Sequence, residues 1–84
     1  MSEAPDGVVD ARGLRCPAPV IRLARAARDA SPGTVLTVWW TDPAARHDIP
    51  AWARMRGHTV LGSEPLPDGE SYATRVRINT PTPG

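Results

Sequence analysis

Apolar positions change their period repeatedly along this chain, and each change marks an expected element. Val8-Val9-Asp10-Ala11 is a short β-favouring run. From about Pro17 to Ala30, Val20, Leu23, Ala24 and Ala27 recur at helical spacing, with Arg22, Arg25 and Asp29 on the other side. Ser31-Pro32-Gly33 stops that helix, and Thr34 to Thr41, rich in β-branched and aromatic residues, is the clearest strand. Asp42-Pro43 opens a second helical region that contains Pro50. Because proline is comfortable only in a first turn, the regular helix is expected to start near Asp48 as N-cap, after a looser turn. Its inner face would hold Ile49, Trp52, Ala53 and Met55 or Arg56, with Gly57 as the C-terminal cap. Thr59 to Gly62 and Tyr72 to Ile78 read as strands, and the loop from Glu64 to Ser71 is long for a hairpin.

The order β-α-β-α-β-β implies an α/β (α+β) two-layer sandwich: a mixed four-stranded sheet with both helices on one face, its first strand-helix-strand unit right-handed. Strand alternation puts Leu36, Val38 and Trp40 under the helices and Val35, Thr37 and Trp39 on the other side. In the last strand Tyr72, Thr74, Val76 and Ile78 oppose Ala73, Arg75 and Arg77. The helix-free face would then carry Trp39 with Arg75 and Arg77. Such a face admits two readings, a stacking or docking surface or a tryptophan partly covered by arginine stems. The single outward aromatic and the absence of an RNP-like motif favour the second.

Eighty-four residues make one small domain, residues 8–79, with a disordered lead (1–7) and a flexible tail (80–84). A deep substrate cavity is not expected, so chemistry belongs at the surface. The net charge is +1 and all ten basic residues are arginine. Without lysine there is no Schiff base, no pyridoxal phosphate attachment and no phosphate-loop motif. One cysteine makes no internal disulfide, and neither a signal peptide nor a bilayer-spanning apolar run is visible. A cytoplasmic protein follows as the expectation. Cys16, His47 and His58 lack metal-ligand spacing, so neither a metal nor another cofactor is expected.

Cys16 stands in Gly13-Leu14-Arg15-Cys16-Pro17-Ala18-Pro19, just ahead of the first helical run. With Cys16 as N-cap, Pro17 and Pro19 become N1 and N3 and break no helical bond. Both prolines stiffen the backbone and aim the thiol. They also remove two amide donors, leaving those of Ala18 and Val20, so any lowering of the thiol pKa leans on the helix dipole and on Arg12 and Arg15. A lone cysteine can be a small buried hydrophobe. Here the flanking charges and prolines favour an exposed, moderately activated thiol. A resolving Cys-x-x-Cys partner is lacking, so any second sulfur must come from another molecule.

The pattern Asp10-x-x-Gly13-Leu14-x-Cys16-Pro17-x-Pro19 resembles the signature of the TusA/SirA family of small sulfur carriers. Thr41-Asp42-Pro43, Asp48-Ile49-Pro50-x-Trp52, Gly57-His58 and the closing Tyr72 to Ile78 strand extend the resemblance over most of the chain. It implies the same β-α-β-α-β-β sandwich and a covalent carrier rather than a stand-alone enzyme. Cys16 would take sulfane sulfur from a cysteine desulfurase or rhodanese-like donor, hold it as a persulfide and pass it to an acceptor protein. Family members feed tRNA thiolation, molybdenum cofactor synthesis or other sulfur metabolism. Pro17 and Pro19 would aim the sulfur, and Arg12 and Arg15 would favour its anionic forms. Asp10 and Gly13 match the signature but suit a turn, Asp42 and Asp48 suit helix caps, and His58 suits a helix end better than a base. The chain is expected to act as a monomer with protein partners and no direct nucleic acid or membrane contact. The alternative is a regulatory or interaction module of the same fold that moves no sulfur.

Overall fold

The computed structural model describes residues 7–79; the expected disordered lead through Asp6 and the expected flexible tail lie outside the described residues. Its elements are β1 (Val8–Ala11), α1 (Ala18–Arg28), β2 (Val35–Trp40), α2 (Ala45–Arg56), β3 (Thr59–Pro65) and β4 (Tyr72–Arg77). They form one mixed sheet in the order β1-β2-β4-β3, in which only the β1–β2 pair is parallel. This is the α+β sandwich expected from the periodicity.

The core lies between the sheet and the helices. Leu36, Val38 and Trp40 point inward from β2, Val76 from β4 and Ile78 from just beyond it, to meet Leu23 and Ala27 of α1 and Ala45, Ile49, Trp52 and Ala53 of α2. Pro19 is also fully buried, which makes it a packing residue as well as a helix starter. Met55, assigned to the inner face with Arg56 as its alternative, instead points to solvent at 80 % exposure, and Arg56 is exposed too. The stripe that starts at Ala45 runs through Ile49, Trp52 and Ala53, and Met55 falls outside it.

That earlier start corrects the sequence reading of α2. Asp42 accepts the amide of Ala44 at 3.0 Å, and its carbonyl accepts Ala45 at 2.9 Å, so helical turns begin well ahead of Asp48. Ala44, not Asp48, is the N-cap. Pro50 therefore lies inside the helix, and the Arg46 carbonyl receives no helical donor from it. Pro50→Ala is expected to stabilise the fold by about 1–2 kcal/mol. The interior proline costs about 3 kcal/mol, part of which is offset by the freedom its removal gives the unfolded chain. A rise in the urea midpoint at unchanged m-value checks this. Gly57 caps the far end in the left-handed region at φ 79°, as expected.

β3 runs to Pro65, past its expected end at Gly62, because a bulge between Val60 and Gly62 resets the register and lets Ser63, Glu64 and Pro65 pair with Thr74, Ala73 and Tyr72. The remaining loop is held by Asp68, whose carboxylate accepts the Ser71 amide and hydroxyl and the Glu70 amide. On the helix-free face, Trp39 sits opposite Asp10 and Ala73, with Thr37 beside Arg75 and Val35 beside Arg77. The Arg12 guanidinium covers the Trp39 ring at 4.8 Å. Leu66, Pro67 and Asp68 flank the same ring, so the tryptophan is partly covered, as the second reading of that face expected.

The sheet has two functionally different ends. β2 and β4 finish their pairing at Trp40 and Tyr72, beside the loop that follows Ala11. At the other end, the Gly7 carbonyl accepts Thr37 and the Ile78 amide donates to Thr34, so the first and last described residues leave together.

Candidate functional site

The loop from Ala11 to Pro17 is built by a turn and two long-range anchors. The Leu14 amide donates to the Ala11 carbonyl, and Gly13 takes φ 80°, where a side chain would be strained. The Gly13 amide donates to Thr41 Oγ1 at 2.9 Å, and the Cys16 amide to Asp42 Oδ2 at 2.8 Å. Both acceptors follow β2 directly, so the end of the central strand fixes the height of the cysteine. One carboxylate thus serves two elements: Asp42 holds Cys16 through Oδ2 and starts the α2 turns through Oδ1. Its carboxyl is held below the ordinary range by the Cys16 and Ala44 amides, with the charge of Arg15 adding to them. Asp42 is thus not the cap expected of it: Ala44 is the N-cap, and Asp42 holds the amide of that residue from two positions ahead.

The Cys16–Pro17 peptide is cis. Pro17 is the N-cap of α1, its carbonyl accepting the Ile21 amide at 3.0 Å, and Pro19 sits at N2. The expectation of Cys16 as N-cap is corrected: the cysteine lies one residue outside the helix. The Ala18 amide, expected to be open to the thiol, donates to the Arg15 carbonyl at 2.9 Å.

The electrostatics also differ from expectation. Cys16 is half-buried against the core, not fully exposed. Burial pushes its thiol up to about 11, with the Asp48 and Asp42 carboxylates adding to it. Arg12, expected to favour the anion, is engaged elsewhere: it binds Asp10 through two side-chain nitrogens at 2.9 and 2.8 Å and covers Trp39. Asp10 also accepts the Arg12 amide, and these bonds hold its carboxyl down at about 2. Arg15 is exposed and acts on Asp42 rather than on sulfur.

His58 lies at the opposite end of the sheet, before Thr59, which pairs with Arg77. Its Nδ1 accepts the Asn79 amide at 3.2 Å, its amide closes α2 on Ala53, and its ring packs against Trp52. These contacts make it a helix-end residue, remote from the thiol. No cluster of metal-binding side chains occurs among the described residues. Nor is any described helix long and apolar enough to cross a membrane.

What the site offers is one thiol on a braced loop at the tip of a small body, with two carboxylates beside it. Asp48 is the group that sequence reasoning missed. Its place in the first turn of α2 suggested a cap, and from there its charge bears on the thiol.

Comparison with known proteins gives concordant matches. The family described as Sulfurtransferase TusA matches residues 7–78. The sulfur carrier protein TusA of Pseudomonas aeruginosa is 43 % identical over 61 residues, covering 73 % of this chain and 77 % of that protein. A putative sulfur carrier protein of Bacillus subtilis, YrkI, is 41 % identical over 56 residues, covering 67 % of this chain and 75 % of its own length. The crystal structure of a SirA-like protein from Desulfitobacterium hafniense superposes with a TM-score of 0.71 at 29 % identity, covering 88 % of this chain and 99 % of that one.

Proposed function

This chain belongs to the TusA family of sulfurtransferases, and from that membership we propose that Cys16 carries sulfane sulfur between two proteins as a persulfide. The observation that carries the proposal is the braced Cys16 loop: the family's cysteine stands on a rigid tip, its amide held by Asp42 and its chain direction set by Pro17 and Pro19. No second thiol in the chain can expel the sulfur as sulfide.

Loading is a thiol exchange. The Cys16 thiolate attacks the terminal sulfur of a donor cysteine persulfide, a new S–S bond forms at Cys16, and the donor's S–S bond breaks. The electron pair leaves on the donor cysteine, which takes up the proton lost by Cys16. No oxidant or reductant is needed. Unloading repeats the exchange with an acceptor thiol. The donor class is a cysteine desulfurase or rhodanese-like protein, and the acceptor belongs to tRNA thiolation, molybdenum cofactor synthesis or related sulfur metabolism in the cytoplasm. The carrier works as a monomer, and its only cofactor-like group is the persulfide itself.

Intact-mass measurement tests this after incubation with a cysteine desulfurase and cysteine. The wild-type chain is expected to gain one sulfur atom, removable by dithiothreitol, and Cys16→Ser to gain none. Absence of the adduct with every desulfurase and rhodanese tried would overturn the carrier function.

A further inference from the structure

His58, at the end of the sheet away from Cys16, carries a hydrogen-bond donor that the fold leaves unused. The residue is 7 % exposed, and its Nδ1 accepts the Asn79 amide at 3.2 Å, so in the neutral ring the hydrogen sits on Nε2. Burial lowers the pKa of the imidazole, with the charge of Arg56 adding to it, and the neutral form prevails at neutral pH. Nε2 itself is buried and has no hydrogen-bond partner. The Trp52 ring packs on the imidazole at 5.2 Å, tilted by 43°, a contact that is a weak substitute for an oxygen acceptor. A buried donor left in this way costs stability until an acceptor reaches it.

The same residue stands in the wall of a cavity of about 310 Å³ between α2 and β3, together with Pro50, Ala53, Arg54, Thr59 and Val60. The polar side chains of that wall offer hydrogen and positive charge. Thr59 Oγ1 accepts Asn79 Nδ2 at 2.7 Å, which leaves its hydroxyl hydrogen to donate. Arg54 is exposed and forms no ion pair among the described residues. No carboxylate side chain lines the cavity, so an ammonium group would find no counter-charge there, while Pro50, Ala53 and Val60 supply an apolar floor. We propose that this cavity binds a small aliphatic carboxylate, its oxygens taking hydrogen bonds from His58 Nε2 and Arg54 and its stem lying on Pro50, Ala53 and Val60. The site is separate from the thiol and stands whether or not Cys16 carries sulfur.

Imidazole nitrogen NMR of the full chain at neutral pH tests the site, with sodium butyrate titrated against sodium chloride at equal ionic strength. The His58 Nε2 resonance is expected to shift and saturate with a Kd on the order of millimolar, the range open to so few ligand atoms. The resonances of exposed His47 are expected to stay unmoved. Arg54→Gln, an exposed change whose fold is checked by far-UV circular dichroism, is expected to weaken binding about five- to twentyfold, as loss of one charge-assisted hydrogen bond does. Butylamine, with the same stem and the opposite charge, is expected to leave Nε2 where it was. A His58 Nε2 signal that does not move with butyrate, or moves without saturating, overturns the site and leaves that nitrogen to the Trp52 ring. Undiminished affinity in Arg54→Gln overturns the part given to the arginine. Inorganic phosphate that binds as tightly as butyrate overturns the carboxylate assignment, since the apolar floor would then select nothing.

Discussion

Replacement of Trp40 by alanine is expected to remove most of the stability of the fold. Trp40 is only 1 % exposed and is the largest fully buried side chain. It stacks on Tyr72 at 4.8 Å with the rings 18° apart, and the Arg46 guanidinium covers both rings. Its indole nitrogen donates to Thr74 Oγ1 at 2.8 Å, and that hydroxyl shares a 2.7 Å hydrogen bond with Ser63. One side chain thus joins β2, β4, β3 and the first turn of α2. Truncation of a buried tryptophan costs about 3–5 kcal/mol, and a domain this small sits near the low end of the roughly 5–15 kcal/mol typical of folded proteins. Trp40→Phe keeps most of the apolar contact and loses the indole donor, for a smaller cost of about 1–3 kcal/mol. Denaturant titration followed by circular dichroism measures both; an Ala variant with a wild-type midpoint would show that the core repacks around the gap.

Asp42→Ala is the second large effect, and it falls on transfer. The substitution removes the acceptor of the Cys16 amide and of the Ala44 amide together. The loop keeps its Gly13–Thr41 anchor but loses the one nearest sulfur. Loading by a protein donor is expected to slow by on the order of 10- to 100-fold, since small misplacement of a reacting group costs that much. Small-molecule alkylation is expected to move the other way, because a carboxylate that opposes the thiolate has gone. The opposed signs distinguish loss of aim from loss of reactivity. If protein loading and alkylation both stay at wild-type rates, Asp42 only supports the turn that leads into α2.

The parts of this molecule that could be read without a structure are those governed by short-range periodicity. Leu36, Val38 and Trp40 alternate cleanly, so their face was legible, and Gly57 marked the end of α2 because only the left-handed region suits that stop. Departures came where distant side chains supplied what local residues lacked. Pro50 argues against a helix around it, yet the helix forms because Asp42 satisfies the Ala44 amide and Ile49, Trp52 and Ala53 gain burial. Gly62 and Pro65 look like strand breakers, yet a bulge and the pairing with β4 carry β3 through both. At the site, the neighbours of Cys16 in sequence are prolines and arginines, which suggested an anion-friendly thiol. Its surroundings in space are the core that half-buries it and the carboxylates of Asp42 and Asp48, and burial first, then those charges, reverse the sign.

The common exit of the described chain ends also bears on how such a unit can be combined with others. Gly7 and Asn79 both leave from the edge of the sheet where β2 begins, and β2 separates them from the Cys16 tip by six residues, about 20 Å of strand. A group joined directly at Gly7 or Asn79 therefore sits at the end of the sheet away from the Cys16 tip.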